Sequence, residues 1–321
     1  MSSPISIRLM QKTDLAAADK VVRLAFGTFL GAPDPANFMG DVSYVKPRWL
    51  INPNAAFVAV KEHVVIGSCF ATHWGSFGFF GPLTVHPDYW NQGVAQLLLE
   101  PILEKFEQWQ VTNAGLFTFP NSVKHLSLYQ RYDFWPQHLT AIMSKPLLPM
   151  QPVTTAKWNT FSAVPEHQQE AYLMMCRDVC DSILYDLDLS HEITSTLQFK
   201  LGETILLWEQ DLLIGFAICQ HGAGTEAGTD GGKGHCYVKF ACVRTGDHVE
   251  RDFPHLLEAI EAYARGRKLQ RISAGVNTAR LGAYHRLLAQ EFRIDFLGLA
   301  MQYNQDPGYC RPDVYALDDW R

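Results

Sequence analysis

The segment Gly81-Pro-Leu-Thr-Val-His-Pro-Asp-Tyr-Trp-Asn-Gln-Gly-Val-Ala-Gln-Leu-Leu-Leu99 carries the strongest chemical signal in the chain. Its pattern predicts a strand ending at Val85, a stop at Pro87, a turn through Asn91, Gln92 and Gly93, and a helix beginning near Val94. A glycine turn feeding a helix gathers several backbone N–H groups at one helix N-terminus. Those unpaired donors and the helix dipole attract anions. A pyrophosphate is a natural guest: Gly93 permits close backbone approach, and Ala95 keeps the next position small. The segment is also compatible with an ordinary β–α connection. Tyr129 sits in a short helical stretch with Tyr132 three residues on, and His73 lies in the preceding apolar hairpin. An imidazole has the reference pKa for a general base. A packed core aromatic and a satisfied core histidine are the plainer readings of these two positions.

The surrounding elements must hold that turn. Ile5 to Leu9 alternates as a strand, and Thr13 or Asp14 starts a helix with Leu15, Val21, Val22, Leu24 and Ala25 on its apolar face. Gly27 to Asp41 reads as a loop or a short irregular helix. Strands are expected at Ala56–Val60, Val64–His73 and Phe79–Val85, then a helix at Val94–Gln108, a strand at Gly115–Phe119, a helix at Val123–Arg131 and a strand at Leu139–Ser144. Three prolines between Lys145 and Pro152 mark a linker. The second half repeats the order: helix Gln168–Ser182, hairpin Thr204–Glu209 and Leu212–Gln220, strand Tyr237–Val243, helix Asp252–Arg265, strand Arg271–Val276, helix Arg280–Gln290 and strand Asp295–Met301. Asn121, Tyr129 and Phe134 recur as Asn277, Tyr284 and Phe292 at an offset of about 155 residues, the mark of an internal duplication. The expected fold is therefore α/β (α+β), with two tandem domains, 1–147 and 148–321, each a mixed central sheet flanked by helices. The glycine-rich stretch His221–His235 is not a phosphate loop, because Gly follows Lys233 and no helix starts there; it reads as a flexible hairpin tip.

Composition excludes several classes. The 321 residues are 47% hydrophobic and 12% aromatic, enough for packed cores rather than disorder. A net charge of −6 argues against a general nucleic-acid binder, which needs a basic face. Seven cysteines without a CxxC read as free thiols of a reducing compartment, and Cys176 with Cys180 lacks the partners of a metal site, so no metal is expected. The first residues show no signal-peptide pattern. Val64 to Val85 contains no Asp, Glu, Lys or Arg over about 22 positions, a spanning length, but its glycines suit a buried hairpin instead. A soluble cytoplasmic protein without a membrane partner is expected. The sequence carries no signal for oligomeric state.

The first half resembles the GCN5-related N-acetyltransferase (GNAT) family. The family's acyl-CoA signature, Arg/Gln-x-x-Gly-x-Gly/Ala after a strand ending Val-x-Pro, reads here Trp90-Asn-Gln-Gly93-Val-Ala95 after Val85-His86-Pro87. Its later motif reads Asn121 and Leu128-Tyr129-Gln-Arg-Tyr-Asp133-Phe134. Trp90 departs from the family's Arg or Gln, and Asp133 from its Gly. The resemblance implies that Leu83, Thr84 and Val85 grip the pantetheine arm of acetyl-CoA. It implies that Trp90, Asn91, Gln92, Gly93, Val94 and Ala95 wrap the pyrophosphate, that Asn121 contacts the cofactor, and that Tyr129 is the general acid. The strand that carries the base in some relatives, Phe79–Val85, has no carboxylate, which leaves His73 as the candidate, or an amine that arrives neutral. The implied activity moves an acetyl group to a primary amine of a small molecule or peptide. The loop Phe29–Tyr44 holds Asp34 and Asp41, a hint of a cationic acceptor. Two other readings stand beside it: a non-catalytic acyl-CoA sensor, and a protein whose second half is the active one. Asp247, Glu250 and Asp252 would repel a pyrophosphate there, so the second half reads as a degenerate copy.

Overall fold

The computed structural model describes residues 4–147 and 156–321. The first half runs β1 (Ser6–Leu9), α1 (Leu15–Phe29), α2 (Val45–Ile51), β2 (Ala56–Lys61), β3 (Val64–Trp74), β4 (Phe77–Phe80), β5 (Thr84–Val85), α3 (Val94–Gln108), β6 (Asn113–Thr118), α4 (Val123–Gln130) and β7 (Phe134–Pro146). The second runs β8 (Lys157–Thr160), α5 (Glu166–Ile183), α6 (Ser190–Gln198), β9 (Gly202–Glu209), β10 (Leu212–His221), β11 (His235–Val243), α7 (Val249–Gly266), β12 (Arg271–Asn277), α8 (Leu281–Ala289), β13 (Arg293–Tyr303) and β14 (Ala316–Leu317). The apolar periods decide which faces are inside. Val94, Leu98, Leu99, Ile102 and Phe106 of α3 are buried at helical spacing and pack with Ile66, Cys69 and Phe80 of the sheet. Ala18, Val22 and Phe70 pack on the opposite face under α1.

The strands form one sheet in the order β1-β2-β3-β4-β6-β13-β7-β12-β11-β10-β9-β8. Read from either end, the succession is equivalent, as the internal duplication requires. It also holds something the sequence reading did not contain. β13 pairs antiparallel with β6, and β7 pairs antiparallel with β12. Each half has placed its closing strand in the other half's sheet, and β7 and β13 pair with each other. The expected division at 147/148 therefore falls after a strand whose partners both lie in the second half. Lys145 and Pro146, expected as linker, finish β7, and the rest of that linker from Leu148 on lies outside the described residues.

Two splayed strand pairs matter for function. β4 runs parallel to β6 only from Phe77↔Asn113 to Phe80↔Leu116. The chain then turns through a cis Gly81–Pro82 bond, and β5 continues against β3, with Gly67↔Val85 and Ser68↔Thr84 in register. The single strand expected at Phe79–Val85 is thus two, and a wedge opens between β5 and the end of β6. In the second half β11 and β12 are paired from His235↔Arg271 to Val238↔Ala274 and then part likewise. There the wedge is filled by the chain itself: β14 pairs with β11, and Asp318 N–H donates to Gly275 O. Arg280, fully buried, holds this plug through Ala316 O at 2.8 Å and Asp318 at 3.0 Å.

The glycine-rich stretch is not a free hairpin tip. Gly224 N donates to Asp41 O, Ser43 N to Thr225 O, and Thr229 N to Asp41 Oδ1 at 3.0 Å. It straps the second half onto the α1–α2 loop. The same seam is pinned deeper down by Arg48 of α2, whose Nε lies 3.0 Å from Glu226, a carboxylate that also meets Lys239 at 2.8 Å.

Candidate active site

The wedge beside β5 widens into a cleft of about 590 Å³. Its floor is Leu83, Thr84 and Val85, where β5 stays with β3 after leaving β6. Its electropositive end is the start of α3. Gly93 caps this helix in the left-handed region at φ 79°, and Asn91 has φ 63°. Among the described residues no side chain caps the helix, which leaves its first-turn amides without a capping acceptor beside the cleft. Gly93 suits this turn, since a side chain there would have to adopt a strained φ. Trp90 does not leave a hole where a donor is expected. Its Nε1 donates to Val85 O at 2.7 Å and staples the turn to β5, while Lys124 of α4 lies over its ring at 5.6 Å. Lys124, His125 and Arg131 line the cleft, and no carboxylate does.

Tyr129 reaches the cleft from α4. It is 8% exposed, in edge contact with Phe80 at 5.8 Å, and its hydroxyl bonds no other group among the described residues. Burial raises its pKa, so the phenol keeps its proton. Tyr132 lies in the turn after α4 and does not line the cleft.

Of the expected residues, Leu83, Thr84, Val85, Trp90, Asn91, Gly93, Val94, Ala95 and Tyr129 come together around this cleft. Three do not. Gln92 is exposed and donates to Asp88 O. Asn121 is exposed in the turn before α4, and its neighbour Ser122, the cap of that helix, lines the cleft instead. His73 sits five residues along β3 from Ser68, about 16 Å at the usual strand rise. There it stacks on Trp109 at 4.8 Å, and burial lowers its pKa. The sequence reading missed Lys124, His125 and Arg131, and also Phe26, Phe29 and Phe119, which close one side of the cleft. A signal for His125 was present: it lies four residues before Tyr129, hence on the same helix face.

A strand wedge, a glycine-led helix start and a rim of cationic side chains meet at this cleft. Residues 26–134 match the model of the acetyltransferase (GNAT) family, so the chain carries a GNAT acetyltransferase domain in its first half. A protein from Pyrococcus horikoshii provisionally described as an acetyltransferase has a similar fold, with 12% identity, TM-score 0.69, and coverage of 98% of this chain and 95% of that one. A GCN5-related N-acetyltransferase from Sphaerobacter thermophilus has 14% identity and TM-score 0.55 over 93% of this chain and 95% of its own. Saccharomyces cerevisiae N-myristoyltransferase, solved with myristoyl-CoA, has 10% identity and TM-score 0.62 over 95% of this chain and 79% of its own. At such identities the likeness is one of fold. The search of curated proteins gives no match. Among the described residues no helix is long and apolar enough to cross a membrane, and no group of His, Cys, Asp or Glu is placed to hold a metal.

Proposed function

We propose that the protein is an acetyl-CoA-dependent N-acetyltransferase whose active site is the cleft of the first half. The observation that carries the reading is the contrast between the two wedges. One is open, lined by bases and headed by free helix amides, and the other is occupied by residues 314–318 of the chain. The diphosphate of the cofactor sits on the first turn of α3, with Lys124 and Arg131 nearby. The pantetheine arm runs along Leu83–Val85 in place of a sheet neighbour. The amine nitrogen attacks the thioester carbon and forms the C–N bond, while backbone donors beside Leu83 meet the developing oxyanion. The C–S bond then breaks. Tyr129 protonates the departing thiolate and is reprotonated by the proton that the amine nitrogen loses to water. The reading of the protein as a sensor that binds acyl-CoA without turnover has support only in the want of a carboxylate base in the cleft.

Calorimetric titration of acetyl-CoA tests the site. One site per chain is expected in the wild type, and loss of binding in Gly93→Asp, which puts a carboxylate into the nest. Retained micromolar binding in that variant would refute the placement.

A further inference from the structure

The sequence Lys124-His-Leu-Ser-Leu-Tyr129 of α4 puts His125 one helical turn before Tyr129 on the same face. Both residues line the first cleft. Their ring centroids stand 6.5 Å apart, and the ring of Phe29 lies 5.1 Å from that of His125, which sets the imidazole against α1. His125 is half-buried, and neither of its ring nitrogens bonds another group among the described residues.

Acyl transfer to an amine moves two protons, one off the nitrogen that attacks and one onto the sulfur that leaves. Tyr129 is placed for the second. The first needs an acceptor, and the lining of the cleft offers few. Its titratable side chains are Tyr89, Lys124, His125, Tyr129 and Arg131. Ammonium and guanidinium groups are donors without a lone pair, and a phenol holds its proton at neutral pH. An imidazole alone takes one there. From α1, packed on the ring, the cleft receives Ala25, Phe26 and Phe29, none of them charged. The cation that bears on His125 is Lys124, the residue before it in α4. Burial, and after it Lys124, lower the pKa of His125, so the imidazole is neutral at physiological pH.

From this placement we infer that His125 is the proton acceptor of the cleft and hands the proton it takes to Tyr129, the two forming a closed relay on one helix face. The inference rests on the reading of this cleft as the acyl-CoA site. The amine nitrogen forms the C–N bond to the thioester carbon, and its proton passes over one bridging water to a ring nitrogen of His125. The C–S bond breaks, the thiolate takes the phenolic proton of Tyr129, and the tyrosinate recovers one from the imidazolium. The proton of the amine thus ends on the thiol, and both side chains return to their starting state.

The test takes hydroxylamine as the nucleophile and reads thiol release from saturating acetyl-CoA in the full-length wild type and His125→Gln. Glutamine keeps a polar side chain at a half-buried position, so the variant is expected to fold, but it cannot take the proton. The ratio of the two rates at each pH cancels the ionisation of hydroxylamine itself. That ratio is expected to be about tenfold or more at about pH 7.5. It should fall towards one as the pH drops through the pKa of His125, which the imidazole proton resonances of the wild type report independently. Acetyl-CoA affinity by calorimetry should agree within about twofold between the two proteins, and His125→Gln with Tyr129→Phe should lose less than the product of the single losses. A ratio under about twofold, a ratio that does not change with pH, full additivity with Tyr129→Phe, or binding of acetyl-CoA without any thiol release would overturn the relay. Absence of acetyl-CoA binding in the wild type would instead overturn the reading of the first cleft.

Discussion

Tyr129 shows how a residue's setting assigns its chemistry. Its ring is packed against Phe80, while its hydroxyl bonds no other group among the described residues and the residue lines the cleft. Burial holds its pKa above the ordinary value of a tyrosine, so it stays a proton donor through the alkaline range. Tyr129→Phe should lower kcat at least about tenfold, at the modest end of what a positioned acid contributes. It should leave acetyl-CoA affinity within about twofold, and Tyr132→Phe should change neither. A steady-state assay of thiol release against amine concentration checks this. Up to pH 9 the wild-type rate should show no descending limb, because the phenol is still protonated there. If Tyr132→Phe is the damaging change, the acid has been misassigned. His73 illustrates the opposite case, in which suitable chemistry is in an unsuitable place. The residue type fits a base, but β3 carries it to the far end of α3, where Trp109 covers its ring.

At the scale of elements, the two wedges began alike and were resolved differently. In the first half the parting of β4–β5 from β6 is left open as a cleft. In the second half β14 and the turn after it supply the missing contacts, and the buried pair Arg280–Asp318, both within 1% exposure, holds them. Removing one member of such a pair strands the other charge. Arg280→Ala should therefore destabilise the protein by about 3–5 kcal/mol, and Arg280→Lys should recover only part, lacking the fork that reaches both Ala316 O and Asp318. Urea unfolding of the three proteins measures this, and a loss under about 1 kcal/mol for the alanine variant would mean the plug is held by β14 alone. The elements themselves were largely legible in the sequence. α3, α7 and the hairpin β9–β10 have strong periods and appear within a few residues of where those periods put them. α2 and α6 were not found, since Val45–Ile51 is short and contains Pro47, and Ser190–Gln198 is mostly polar. The nest at Gly93 was legible because glycine, turn and helix start are local. The basic rim was not, because Lys124 and Arg131 meet Trp90 and the α3 start only through the fold. The exchange of β7 and β13 left no trace either: an alternating strand specifies which face is buried, not which neighbour it pairs with.

At the scale of the whole molecule, the halves are joined by a sheet that crosses between them three times and by a buried charge cluster on one face of the seam. Glu226 of the strap answers Arg48 of α2 and Lys239 of β11, each nearly inaccessible. Burial alone would raise this carboxyl's pKa, but the two cations overcome it and bring it down to about 2. The sign of the linkage follows. A folded-state pKa below the unfolded value of 4.5 gives stability that is fully present above pH 4.5 and is lost as pH falls towards 2. Glu192, close by, has its pKa raised by burial and acts in the opposite sense, so the behaviour of the wild type alone mixes the two. The comparison with Glu226→Gln separates them, since the contribution of Glu192 is largely common to both proteins. At pH 7 the variant leaves two buried cations without their carboxylate and should be less stable by about 3–5 kcal/mol. The gap should hold between pH 7 and 5 and narrow by about 1.4 kcal/mol at pH 3.5, one unit below the unfolded pKa. Denaturant midpoints at those three pH values decide the matter. A gap that stays constant down to pH 3.5 would mean that Glu226 joins the halves by packing and hydrogen bonding rather than by charge.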